Sequence, residues 1–155
     1  MVEAIRQGDI PGVQLRRRQG LTLTPDEAWR WLVEPAKLAL WLAAEAEVDA
    51  GPGGGLHLTG TEASGVPLRE RGRTLEIAPA SLWVLAFERE GAGWPAATRL
   101  ELRLHPTPVG GGGGCELDVL QQGFQRLPLS LCLTVWESYR LRWRTALSCL
   151  AAATR

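Results

Sequence analysis

Residues 98–105, TRLELRLH, alternate without interruption: Leu100, Leu102 and Leu104 fall on one side of an extended chain, Arg99, Glu101 and Arg103 on the other. A period of two marks a strand with one face buried and one face in water. CELDVLQQ at 115–122 repeats the pattern, with Leu117 and Val119 inward and Glu116 and Asp118 outward. LHLTG at 56–60 and RERGRTLEI at 69–77 read as further strands, and SLWVLAFE at 81–88 as a strand apolar on both faces. Upstream, VQLRRRQGLTL at 13–23 is a less regular first strand, in which Gly20 marks a bulge. The connections are rich in glycine and proline, which favours antiparallel neighbours over helical crossovers.

Two short helices follow the first strand. Thr24 is a good N-cap, Pro25 suits the first helical position, and Glu27 completes a capping box, so the pattern predicts a helix over Pro25–Val33. Pro35 then pushes the preceding residue out of the helical region and starts a second helix over 35–42, ending near Trp41. The chain closes differently. From Leu133 to Ala152 there is no proline or glycine, and Trp136, Arg140, Trp143, Leu147 and Leu150 recur at three- and four-residue steps. A helix of about 20 residues is roughly 30 Å long, enough to cross a whole sheet. The order of elements predicts an α+β fold, a sheet wrapped against one long terminal helix.

The glycine runs raise the question of a phosphate loop. Gly51, Gly53, Gly54 and Gly55 lead into a strand, where a phosphate loop would open a helix, and the chain's one lysine, Lys37, lies upstream. The run Gly110–Gly114 also leads into a strand, with Cys115 where lysine would stand. Both read as turns, the second as a mobile hairpin tip.

Composition narrows the function classes. The chain of 155 residues is expected to form a single domain, 1–155, with 1–12 as an N-terminal extension. It carries 17 basic and 17 acidic residues, so its bulk charge supports neither a nucleic-acid partner nor an anionic membrane surface. No segment predicts a membrane span, and the first residues lack the apolar core of a secretion signal. Three widely spaced cysteines fit reduced thiols and a cytoplasmic location, with Cys149 a small core residue. Neither His57, His105 nor the cysteines show metal-ligand spacing, and no nucleophile motif is present, so no cofactor is expected.

TPDEAWRWLVEPAKLALWL, PGGGLHL and GRTLEIAPASLWVLAFE together resemble, in order and spacing, the START-related SRPBCC superfamily. The likeness is greatest to proteins similar to the carboxy-terminal domain of the activator of the heat-shock-protein-90 ATPase. It covers about residues 13–152 and extends to Gly123, Phe124, Trp143, Leu147 and Leu150. It departs at Gln121, where histidine is usual, at Cys115 in place of threonine, and at Arg142 in place of the glycine before tryptophan.

The resemblance implies a helix-grip fold, a curved antiparallel sheet around the terminal helix with a cavity between them. Trp136, Tyr139 and Trp143 would form the helix wall, Leu58, Val84 and Leu102 the sheet wall, with Trp41 nearby. The competing reading is that these side chains fill the core. Glu76 and Gln121 are the polar candidates, although strand alternation turns Glu76 to water as readily as inward. Arg140 lies in the apolar stripe and would reach a carboxylate such as Glu76 or Glu137. The expected function is non-catalytic binding of a hydrophobic or amphipathic small molecule. The alternatives are a chaperone-linked interaction or stress-response module and a cyclase- or aromatase-like enzyme, the last using an acid–base pair from Glu76, Tyr139 and the histidines. A homodimer through the outer sheet face or a sheet edge is also expected.

Overall fold

The computed structural model describes residues 13–62, 64–108 and 114–155. The expected N-terminal extension and most of the second glycine run lie outside the described residues. Seven strands form one antiparallel sheet in the order β1-β7-β6-β5-β4-β3-β2. They are β1 (Gln14–Leu21), β2 (Glu45–Asp49), β3 (Gly55–Thr61), β4 (Pro67–Ala78), β5 (Leu82–Arg89), β6 (Thr98–Thr107) and β7 (Gly114–Gln122). Helices α1 (Pro25–Val33) and α2 (Pro35–Leu38) follow β1, and α3 (Leu129–Ala153) ends the chain. The fold is α+β, as the order of elements predicts, and it is the helix grip that the resemblance implies.

Local chemistry sets the helix boundaries. Thr24 accepts from the Glu27 N–H and Glu27 accepts from the Thr24 N–H, closing the capping box at α1. α2 is shorter than expected: after Leu38 the chain continues in turns, with the Trp41 and Leu42 N–H groups both bonded to the Leu38 carbonyl. α3 starts at Leu129, four residues before the predicted start, directly after Pro128. β2, which the hydrophobic pattern did not predict, is the edge strand EAEVD. Of its side chains only Ala46 and Val48 turn inward, and both are half-buried.

The core lies between the inner sheet face and α3. Leu56 and Leu58, Trp83, Leu85 and Phe87, Leu100 and Leu102, and Leu117 and Val119 meet Tyr139, Trp143, Leu147 and Leu150. Gly72 makes room at the centre of this face. A Cβ there would stand 3.1 Å from Leu85 Cδ2 and 3.4 Å from Leu56 Cγ. Gly53, at φ +76°, makes the turn into β3, and a Cβ on Gly55 would stand 1.9 Å from the Gly72 carbonyl oxygen. The first glycine run is thus a turn and a close strand approach. Gly20 pairs in regular register with Glu116, so the expected β1 bulge is absent; the register shift lies in β4, between Thr74 and Glu76.

The outer face of β1, β7 and β6 carries a charge ladder centred on Asp118. Its carboxylate accepts from Arg16 Nε at 3.0 Å and Nη2 at 2.7 Å, with Arg18 and His105 at 3.6 Å and 3.5 Å. Burial pushes the Asp118 carboxyl up, but the Arg16 hydrogen bond and the Arg16, Arg18 and His105 contacts outweigh it and hold it below its ordinary value. A carboxyl depressed in the folded state adds stability above its unfolded value, near 4, and loses it as pH falls through the folded value. We therefore expect Asp118→Asn to lose about 1.5–3 kcal/mol at neutral pH. In acid titrations followed by circular dichroism, the variant's deficit should begin to shrink below about pH 4 and be lost once pH falls below the depressed folded value, where wild-type Asp118 is itself protonated.

Candidate functional site

α3 turns four side chains with polar atoms toward the sheet, and each finds an acceptor there. Trp136 Nε1 donates to the Gln14 carbonyl on β1 at 2.8 Å. Trp143 Nε1 donates to Gln121 Oε1 on β7 at 2.9 Å. Gln121 Nε2 passes the chain on to Thr98 Oγ1 at 3.1 Å, and Thr98 donates to the Phe87 carbonyl at 2.7 Å. Tyr139 and Arg142 both donate to Glu70 Oε2 on β4.

Glu70 was not among the residues that the sequence singled out. Its side chain is 0% exposed, because it shares the inward parity of Leu68, Gly72 and Thr74 on β4. Oε2 takes both donors, while Oε1 has no hydrogen-bond partner among the described residues. Arg142 also donates to the Leu42 carbonyl at 3.0 Å, tying α3 to the segment after α2. Directly across from Glu70 on β5, Arg89 pairs with Glu62 at 2.7 Å, and its own buried Nε has no partner among the described residues.

Tyr139 is the hub of this cluster. The guanidinium of Arg89 lies 5.3 Å and that of Arg142 5.9 Å from its ring centroid. Phe87, Trp94 and Phe124 surround it at 6.1 to 6.2 Å between centroids. Trp94 belongs to the β5–β6 connection and is half-buried, so that loop covers Tyr139 from one end of the grip. Burial, reinforced by the Glu70 charge, pushes the Tyr139 hydroxyl well above its ordinary range, so it serves as a donor and not as a base. Burial pulls Arg142 down, and Glu70 more than offsets it.

The structure sorts the predicted site residues into three groups. Leu58, Leu102, Gln121, Trp136, Tyr139 and Trp143 meet in the interior between sheet and α3. Trp41 is buried in the same core, but its Nε1 donates to the Trp31 carbonyl at 3.0 Å and so anchors the helical segment. Val84, Glu76 and Arg140 lie elsewhere. Val84 is buried yet alternates with inward Trp83 and Leu85, which sets it on the outer face opposite Glu101. Glu76 is exposed, because the β4 bulge interrupts the alternation that keeps Glu70, Gly72 and Thr74 inward. Arg140 pairs with Glu137 at 2.6 Å on the helix exterior, 6.0 Å from the Trp136 ring. Cys149 is exposed, not a core residue.

The interior beneath the indoles is closely filled: Leu100, Leu117, Tyr139, Trp143 and Leu147 are each at most 3% exposed. Two concavities lie on the outer face of β2–β5. The larger, about 840 Å³, is lined by Glu47, Asp49, His57, Arg71, Arg73 and Glu88; the smaller, about 250 Å³, by Glu45, Thr59, Arg69 and Glu90. Among the described residues no three His, Cys, Asp or Glu side chains stand together as a metal site. No described helix is long and apolar enough to cross a membrane. Because Gln121 links an indole to Thr98, Gln121→Leu leaves Trp143 Nε1 and Thr98 Oγ1 without their shared partner. Thermal unfolding should show a loss of about 1–3 kcal/mol, and Gln121→Glu, which keeps the acceptor for Trp143 but sets a buried carboxylate oxygen where Nε2 donated to Thr98, should lose at least as much.

This architecture recurs among known proteins. The sequence pattern of the family described as Activator of Hsp90 ATPase homolog 1-like protein matches residues 22–142. No curated protein matches the chain. Among solved structures, protein CV1439 from Chromobacterium violaceum is 26% identical, with 91% of this chain and 96% of that one covered at a TM-score of 0.73. Protein NE0264 from Nitrosomonas europaea is 18% identical, with 91% and 93% covered and a TM-score of 0.69. CalU16 from Micromonospora echinospora is 23% identical, with 92% and 74% covered and a TM-score of 0.64. At such identities the last two share the fold alone. The chain belongs to the Activator of Hsp90 ATPase homolog 1-like family, within the SRPBCC superfamily.

Proposed function

We propose that the protein is a small-molecule binding module, which takes an amphipathic ligand at the Glu70 end of the grip, in room opened when the β5–β6 connection carrying Trp94 moves aside. One observation carries the reading. Glu70 is a fully buried carboxylate with one oxygen held by Tyr139 and Arg142 and the other without a partner among the described residues. An unpaired buried polar atom costs on the order of 1–3 kcal/mol. Folds keep such local conflicts chiefly where function uses them. A hydroxyl or ammonium group on the ligand would donate to Oε1, and its apolar body would lie against Tyr139, Phe87 and Trp94. The indole N–H groups of Trp136 and Trp143 are committed to protein acceptors, so these rings serve as wall and not as polar anchors. The ligand enters by displacing the β5–β6 connection that carries Trp94. Membership in the SRPBCC superfamily is consistent with a ligand-binding cavity protein and supports the reading by analogy.

The test is a thermal-unfolding titration against long-chain alcohols, long-chain amines and fatty acids. Alcohols or amines should stabilise the chain, by about 2.7 kcal/mol at 100 times the dissociation constant. Glu70→Gln should abolish the preference for an amine head, and Trp94→Ala should speed association. Stabilisation by none of the three classes, or equal binding to wild type and Glu70→Gln, overturns the proposal. Stimulation of an Hsp90-type ATPase that is unchanged in Glu70→Gln would also overturn it, in favour of the chaperone-linked role that the family name suggests.

A further inference from the structure

The outer face of β2, β3 and β4 carries an arrangement that the ligand reading does not use. Strand register places three rows across it: Glu45–Thr59–Arg69, Glu47–His57–Arg71 and Asp49–Gly55–Arg73. Every acid is on β2, every arginine on β4, and β3 between them carries only threonine, histidine and glycine. All three acids and all three arginines are exposed. The two stripes are parallel, roughly 10 Å apart, with about 7 Å between successive rows. β3 forms the floor of a trough between them, part of the larger outer concavity. Arg71 is held by Glu88 on β5, whereas Arg69 and Arg73 make no ion pair among the described residues.

We infer that this face is a self-complementary interface for a second copy of the chain, with a two-fold axis running along β3. Turning a copy over about that axis exchanges the β2 and β4 sides and keeps each row at its own height. Glu45 of one copy then faces Arg69 of the other, Glu47 faces Arg71, and Asp49 faces Arg73, each pair with its symmetry mate. Thr59, His57 and Gly55 of β3 lie along the axis, each facing its own symmetry mate. This is the isologous contact that a closed dimer requires. The shape agrees as well. A twisted sheet is a saddle, and a saddle turned over about one of its straight lines stays parallel to itself, so the spacing remains even along the contact.

The same charges exclude the other route to a dimer on this side of the sheet. Pairing two antiparallel β2 edges would set acid beside acid, which repels. The patch measures only some hundreds of Å², below the roughly 800 Å² per partner of a stable interface. Exposed ion pairs are individually weak and screened by salt, so the dimer is weak and sensitive to ionic strength.

Sedimentation equilibrium of the full chain tests this inference. In about 0.02 M salt the chain should dimerise, and in about 0.5 M salt its dissociation constant should rise at least about tenfold. The triple variant R69E/R71E/R73E has two acidic stripes and should be monomeric; E45K/E47K/D49K has two basic stripes and should be monomeric too. Mixed in equal amounts they should form a heterodimer. Far-UV circular dichroism confirms that each is folded; should a triple variant fail that check, Arg73→Glu alone, which removes no internal ion pair, should weaken the wild-type dimer several-fold. A wild type that stays monomeric at low salt, a dimer that neither variant weakens, or a mixture that stays monomeric overturns the inference.

Discussion

The position of α3 depends on finding an acceptor for every buried donor it carries. A helix this long could slide or roll on an apolar sheet at little cost, because hydrophobic contact is non-directional. Hydrogen bonds are not so permissive. Trp136 reaches the backbone of β1, Trp143 the Gln121 amide on β7, and Tyr139 and Arg142 the Glu70 carboxylate on β4. These contacts are distributed along the helix and across the width of the sheet. A shift of α3 by one residue would strand several buried donors at once, so the polar pairs set the register that the leucines only stabilise.

That division of labour explains what the sequence made legible. β6 and β7 could be read directly, because Leu100, Leu102 and Leu104, like Leu117 and Val119, alternate with charges. Glu70 could not. The inward row of β4 is Leu68, Glu70, Gly72 and Thr74, only one of them a large apolar residue, while Leu75 in the bulge and Ile77 beyond it have the opposite parity and suggest the wrong face. Likewise Arg140 stood out because it falls on an apolar stripe. Tyr139 and Trp143, one helical turn apart, mark the true centre of the buried face, and Arg142 lies beside it where it can bend under the helix.

Arg142 also distinguishes this chain within its resemblance. At this position, where the resemblance has glycine, the guanidinium bonds Glu70 and holds the Leu42 carbonyl. A buried ion pair is weak evidence for stability, since desolvation offsets most of its attraction. Its effect is to place a charged pair at one end of a grip whose other buried polar groups, Gln121, Thr98 and Thr74, are neutral; under the proposed reading that pair selects a ligand by its head group.

The bulge between Thr74 and Glu76 has an evolutionary consequence. It divides β4 into two stretches whose side-chain phases are independent. The stretch before it must hold Glu70 inside and three arginines outside, so losing or gaining one residue there would exchange the two sets and bury the arginines. The stretch after it bears no such double duty. Length variation among descendants of this chain should therefore collect downstream of residue 75 and be purged upstream.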